Sequence, residues 1–508
     1  MRKQFRDKVQ QNKELVAIII IFTVLRFVAA TFMGLMPQDA YYTYYSDNLA
    51  LSYFDHPPMV AYMIKLFTML LGKSAFVLHL ADFTVTAATI GILYLFLKRV
   101  LSGDTLKRAL ILIITAPFIT VLSINTTPDV PLLFFWALTL LLAHKAITNG
   151  NPLWWLAAGL AAGLAFDSKY TGIFLPAGLF LFLLLSKEHR KLIFSGRFLL
   201  FATAFELAIL PVVIWNVQND FISLKYQSSE RAADITAFHF EPKLFLGYFG
   251  SQLALALPLL FLALFPITYK TIKEHLPRFG KKQNETVHIE EILPRNKLFA
   301  ASFALPMFIL FTGVALIYWV KINWLMPVYL SATVLSALYI KADKFIRWQT
   351  IFSVVTHLVI VAELIWMPIK VNSDDTWWGW DKLAAKTQSI KEQHPSHFIF
   401  SDNSYKVSAV LNFYLDEHVY AGNVINEKAF QFALDDKDLS HLYGKDAIYV
   451  TTSRYQRKQA SKGTTGQILA PFFASVQPLD SLILKDSQGE IQRKFYFFEC
   501  KEYKMPVR

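Results

Sequence analysis

The sequence predicts a polytopic α-helical membrane protein that ends in a soluble α/β domain. Three observations carry this. First, 54% of the 508 residues are hydrophobic and only 17% are charged, whereas soluble domains run at roughly 45–50% and about 25%. Second, the apolar residues fall in runs close to the roughly 20 needed to cross a bilayer. Third, the runs stop near residue 370, where charges of both signs take over. A purely soluble enzyme and a disordered chain are both excluded.

Eleven candidate spans stand at about 14–35, 76–97, 109–124, 130–148, 152–166, 170–186, 198–216, 244–268, 299–318, 324–340 and 348–368. The first is longer than the apolar core of a signal peptide and is read as a retained anchor. Placing the N-terminus in the cytoplasm and alternating puts 24 Lys and Arg in about 81 residues of inside loop. The outside loops hold 7 in about 80. This is the asymmetry of the positive-inside rule. The expected division is a membrane module over 1–369, with a periplasmic first loop at 36–75, and a periplasmic α/β domain over 370–508. In that domain, His397–Phe400, Ala447–Thr451 and Phe495–Glu499 read as strands and Val407–Leu415 as a helix.

The net charge of +12 is spread over cytoplasmic loops, without the one-face stripe that nucleic-acid binding needs. A single cysteine, Cys500, excludes a disulfide framework and a Cys-rich metal centre. No Walker A motif, HExxH motif or Gly-Xaa-Ser-Xaa-Gly elbow is present, which argues against ATP-driven pumping, zinc proteolysis and the serine-hydrolase elbow. No cofactor is expected.

Polar residues with chemical potential gather on the outer side. The first loop carries Asp39, Tyr41, Tyr42, Tyr44 and Tyr45, then Asp55-His56-Pro57-Pro58. The tyrosines fit an aromatic belt. Asp39 suits either an N-cap of a helix over Ala40–Leu51 or a carboxylate facing a cavity. The prolines restrict the residues before them, so Asp55 and His56 sit on a rigid turn. Met59–Gly72 is too short to span and reads as an interfacial helix. Asp129 opens a span and complements its dipole; Lys169, in a tight outside turn, either snorkels or meets a phosphate. Asn216, Arg231, Lys321 and Asn323 complete the outer set. Acids and cations at one interface point to an anionic ligand embedded in the membrane.

As an ordered set, several of these pieces resemble a known group: Asp39-Ala-Tyr-Tyr, Tyr53-Phe-Asp-His-Pro-Pro58, Thr127-Pro-Asp129, Ser168-Lys-Tyr-Thr171, Leu210-Pro-Val-Val-Ile-Trp-Asn216 with Asp220-Phe221, and Lys321-Ile-Asn-Trp324. Gly379-Trp-Asp381 and Ser401-Asp-Asn403 join them in the tail. The group is the bacterial polyprenyl-phosphate-sugar-dependent glycosyltransferases of the GT-C type, relatives of the protein O-mannosyltransferases and of the lipid A aminoarabinose transferase. The resemblance implies a GT-C-like membrane fold in the bacterial inner membrane and metal-independent inversion at the sugar. It implies a polyprenyl-phosphate-linked sugar as donor and a lipid A, core or other cell-envelope glycan as acceptor.

The resemblance also carries Asp39, and less directly Asp129, over as catalytic carboxylates. Asp55-His56 stands where the aminoarabinose transferase has Glu-Lys. Fixed cations stabilise a departing phosphate, and His56, Lys169, Arg231 and Lys321 are the candidates. Tyr41, Tyr42, Asp55, Asn216 and Asn323 are the expected substrate contacts. A protein O-glycosyltransferase is the alternative. A flippase for lipid-linked sugar is a further one, although it would place polar groups near the bilayer midplane.

Overall fold

The computed structural model describes residues 13–230, 240–275, 292–367, 373–486 and 489–504. Among them, eight helices are long and apolar enough to cross a membrane: Lys13–Phe32, Ala75–Val100, Asp129–Asn149, Gly196–Gln218, Pro242–Leu262, Arg295–Val314, Ile322–Tyr339 and Asp343–Trp366.

Three other expected spans are helical but short or interrupted. The 109–124 stretch divides into Gly103–Ile114 and Pro117–Leu122. Pro117 lacks an N–H and forces Ala116 into extended backbone, with φ −70° and ψ 127°. The 152–166 stretch becomes Pro152–Ser168, of 17 residues, and the next run enters through a 3-10 turn at Tyr170–Ile173 before Phe174–Leu185. Among the described residues eight helices thus meet the length and composition of a span, and the other three expected spans fold as these shorter helices.

Small residues set how closely the helices approach. A methyl group on Gly159 would come within 2.2 Å of the Phe201 carbonyl oxygen, and one on Gly163 within 2.4 Å of the Ala208 side chain. This Gly-xxx-Gly pair seats Pro152–Ser168 against Gly196–Gln218 at backbone contact.

The first loop folds as Pro37–Asp47 and Met59–Leu71. The second helix buries Val60, Ala61, Met63 and Ile64 and exposes Leu66, Met69, Leu70 and Leu71, the two-faced pattern of a helix lying in the membrane interface.

The C-terminal part holds a five-stranded sheet ordered β2-β1-β3-β5-β4. Its strands are β1 (Phe398–Ser401), β2 (Val419–Tyr420), β3 (Ala447–Thr452), β4 (Phe473–Lys485) and β5 (Ile491–Tyr503). The first three are parallel, and β5 joins antiparallel to both β3 and β4. β3 and β5 contain the stretches read as strands at Ala447–Thr451 and Phe495–Glu499, and β1 takes up the third from Phe398, one residue after its expected start. β1 and β3 are buried throughout, as parallel strands covered on both faces are.

This part closes over the first loop. The helix Lys406–Tyr414 packs on Pro37–Asp47, and the Tyr405 ring stacks on Tyr41 at 4.2 Å between centroids. The Tyr44 hydroxyl donates to Asp435 at 3.0 Å, and the Phe54 amide donates to Gln431 Oε1 at 2.8 Å. The Trp377 backbone lies against Gly34, where a Cβ would meet its carbonyl oxygen at 2.6 Å.

Candidate active site

The loops that leave the membrane helices beside the first loop enclose a cavity of about 820 Å³, ample for a substrate-sized ligand. Six of the residues singled out from sequence line it: Tyr42, His56, Asp129, Lys169, Lys321 and Asn323.

The centre of the polar wall is Asp129. It is the first residue of Asp129–Asn149, where an acidic side chain complements the helix dipole. Lys169, at the C-terminal cap of Pro152–Ser168, donates to both Asp129 oxygens at 2.8 and 3.1 Å. Asn323 Nδ2 donates to Asp129 Oδ2 at 2.6 Å. Asp129 and Lys169 are both buried; each compensates the charge of the other, which neither could carry alone at that depth. Lys169 therefore faces the cavity as a fixed, paired cation and does not snorkel. Phe174, Leu255, Phe311 and Val314 give the cavity an apolar wall.

Asp39 is placed differently. Its side chain is fully buried and does not line the cavity. One oxygen accepts the Met36 amide at 2.8 Å, the reach-back of a capping box. The residue thus serves the helix start from its third position, with Met36 as the cap. The other oxygen accepts the amide of Thr126, three residues before Asp129, at 2.9 Å. His79 Nε2 lies 3.8 Å away, and the Thr126 hydroxyl donates to Asp82 at 2.6 Å. Burial pushes the Asp39 carboxyl up to about 7.

Asp55 is gripped from the tyrosine helix. The Tyr45 hydroxyl donates to it, as does the Tyr41 hydroxyl at 3.3 Å. Burial raises its carboxyl above the usual range, and the Tyr45 hydrogen bond opposes this. The pair fixes the turn that presents His56. Tyr41, Tyr44 and Tyr45 are thus buried and hydrogen-bonded, and Tyr42, in ring contact with Tyr41 and Tyr45, alone of the four reaches the cavity. Asn216 is buried and bonds to its own helix at Val212, 2.9 Å away; it shapes the following turn by accepting the Leu224 amide at 3.4 Å. Arg231 lies outside the described residues.

Sequence reasoning missed the cavity residues supplied by the C-terminal part: Asp375, Tyr405 and Lys406. Lys406 pairs with Asp375 at 2.8 Å. The Ser401-Asp-Asn403 motif stood two residues from Tyr405 and was the available signal. His79 and Asp82 were missed too. Two ionisable groups three residues apart inside an apolar span mark an internal polar contact.

Known proteins agree with this architecture. Residues 55–215 match the family model described as dolichyl-phosphate-mannose-protein mannosyltransferase. The chain is 26% identical over 398 residues to the lipid A galacturonosyltransferase RgtD of Rhizobium johnstonii, covering 76% of this chain and 79% of that protein. The solved structure of ArnT from Cupriavidus metallidurans superposes with a TM-score of 0.63 at 14% identity, over 96% of this chain and 98% of ArnT. ArnT bound to undecaprenyl phosphate gives 0.62 at 14% identity, with the same shares of both chains covered.

The fold, with these matches, is that of the GT-C class. The chain is a multi-pass membrane protein of this fold, and the named proteins it is similar to are glycosyltransferases, in agreement with the resemblance its motifs carry.

Proposed function

We propose that the chain moves a sugar, with inversion, from a polyprenyl-phosphate donor to lipid A, its core or another cell-envelope glycan, at the periplasmic face of the bacterial inner membrane. The observation that carries this is the Asp129–Lys169–Asn323 cluster in a cavity with an apolar wall. The names of RgtD and of the ArnT complex support the lipid A acceptor and the polyprenyl carrier. The Lys and Arg asymmetry of the loops supports a cytoplasmic N-terminus and a periplasmic cavity.

In the proposed reaction the acceptor oxygen bonds to the anomeric carbon as the bond from that carbon to the phosphate oxygen breaks. The hydroxyl proton passes to the Asp129 carboxylate. The bonding electrons leave with the polyprenyl phosphate, whose charge Lys169, Lys321 and His56 stabilise. Asp39 acts through Asp129 by holding the Thr126 amide, and Asp55 acts through His56. Tyr42 and Asn323 contact the substrates, and the apolar wall takes the first isoprenes of the carrier.

The test uses purified full chain in detergent with a synthetic polyprenyl-phosphate sugar and lipid A. Sugar-modified lipid A in the product, detected by mass spectrometry, is the expected result. Transfer to a protein acceptor alone would move the reading to protein O-glycosylation, the activity in the matched family's description. Absence of any transfer across a panel of such donors would remove the enzyme reading.

A further inference from the structure

A second polar cluster lies in the C-terminal part, and none of its residues lines the cavity. His394 caps the helix Trp380–Gln393, and His397 follows it just before β1. Glu499 sits on β5, and Asp446 directly precedes β3. Three separate stretches of chain therefore meet.

His394 Nδ1 and His397 Nε2 stand 3.4 and 3.1 Å from the same Glu499 oxygen, and Asp446 Oδ2 is 3.7 Å from His397 Nε2. Nitrogen and oxygen ligands at about 2.0–2.1 Å from a tetrahedral ion lie roughly 3.3–3.4 Å apart. These three spacings bracket that value, and the ligand atoms of His394, His397 and Glu499 all lie within 4.8 Å of one another, with Asp446 beside them.

A cation already stands among these atoms. Lys501 Nζ lies 2.6 Å from Glu499 Oε1 and 3.0 Å from Asp446 Oδ2, and 3.3 Å from His397 Nε2. Lys501 is two residues from Glu499 on the same face of β5. Its side chain is 42% exposed, so the ammonium can turn out to solvent without moving the strand.

The ligating atoms are also oriented from behind. His397 Nδ1 is 3.5 Å from Ser396 Oγ, which leaves Nε2 facing Glu499. Asp446 Oδ1 accepts the Glu502 amide at 2.9 Å, which turns Oδ2 inward. Lys391 Nζ fixes the His397 carbonyl at 2.5 Å. Such outer contacts are what hold metal ligands in place.

We propose that His394, His397, Glu499 and Asp446 form a site for a divalent transition metal of the zinc class, with the Lys501 ammonium as its built-in competitor. Two imidazoles and two carboxylates neutralise a 2+ ion, and both are ligand types that zinc accepts. The ion ties the end of Trp380–Gln393 to β5 and so braces the part that covers the cavity. It takes no part in the sugar-transfer step.

The test titrates Zn²⁺ into the full chain, purified without a histidine tag in detergent and stripped with a chelator, using isothermal calorimetry. One equivalent is expected to bind. His397→Ala combined with Glu499→Gln should weaken binding at least tenfold. Lys501→Met, which keeps every ligand and so does not endanger the fold, should tighten it several-fold. Co²⁺ bound to wild type should show the visible bands of tetrahedral coordination, and the double variant should not. No stoichiometric binding by wild type, or no tightening in Lys501→Met, overturns the proposal.

Discussion

Asp129 holds Lys169 through both carboxylate oxygens, at 2.8 and 3.1 Å, and the two are buried together at the wall of the cavity. The pair is placed by the ends of two different helices. Neither residue can be changed without stranding a buried charge, so under the proposed function each substitution is expected to affect both transfer and stability.

Asp129→Asn should lower kcat by about 10²–10⁴, the range for loss of a proton acceptor. Its amide still accepts from Lys169 and keeps the side-chain shape. Lys169→Met should also abolish transfer, and it should cost about 3–5 kcal/mol of stability by leaving the carboxylate unpaired. Transfer assays run beside thermal melting in detergent separate the two effects. Full activity in Asp129→Asn would dismiss it as the proton acceptor.

Asp39→Asn should reduce activity by misplacing the Asp129 segment. The carboxylate accepts two backbone amides, one on each oxygen; an amide side chain offers one acceptor, so an N–H is left unmet at about 1–3 kcal/mol. If Asp39 acts only through Asp129, the double variant Asp39→Asn/Asp129→Asn should be no slower than Asp129→Asn alone. Additive losses in kcat would instead give Asp39 its own contact with the acceptor.

The C-terminal part should show a pH signature from Asp402. Burial pushes this carboxyl up to about 7, and the hydrogen bond from the Tyr449 hydroxyl opposes the rise. The fold therefore prefers the protonated form. The stability it confers is complete below about pH 4 and is lost as pH rises through about 7, roughly 4 kcal/mol for a shift of that size. Asp402→Asn keeps the shape and removes the charge. Its melting temperature should overtake that of wild type between pH 4 and 8, and parallel curves would contradict this.

Gly159→Leu and Gly163→Leu should block insertion or lower the yield of folded protein sharply, because each drives a side chain into the neighbouring helix. Gly91→Leu is the control, since a Cβ at Gly91 has nothing within 4 Å. Size-exclusion profiles of the three variants in detergent make the comparison.

Much of this protein is written locally in its sequence. The apolar runs announce the spans because a bilayer accepts little else, and the residues between them share a face by alternation. That is why Tyr42, His56, Asp129, Lys169, Lys321 and Asn323 meet in one cavity. What was not legible depends on distant contact. Asp39 read as a carboxylate at a cavity or a helix cap, and the contact that decides its position is the amide of Thr126, 87 residues away. Tyr405 and Lys406 reach the cavity only because Lys406–Tyr414 docks on Pro37–Asp47. β4 also escaped notice, since only Phe473 and Leu484 of its residues are buried and Pro478 interrupts it, which blurs the pattern of a strand.

The stacking of Tyr405 on Tyr41 and the clasp of Gln431 on Phe54 divide the labour of the molecule between two regions of chain. The span ends carry Asp129 and Lys169, and Asp375, Tyr405 and Lys406 of the C-terminal part line the same cavity, held there by the docking of the stretch from about 405 to 431 on the first loop. Grafting that stretch from a relative should therefore exchange the preferred acceptor while the reaction itself stays unchanged.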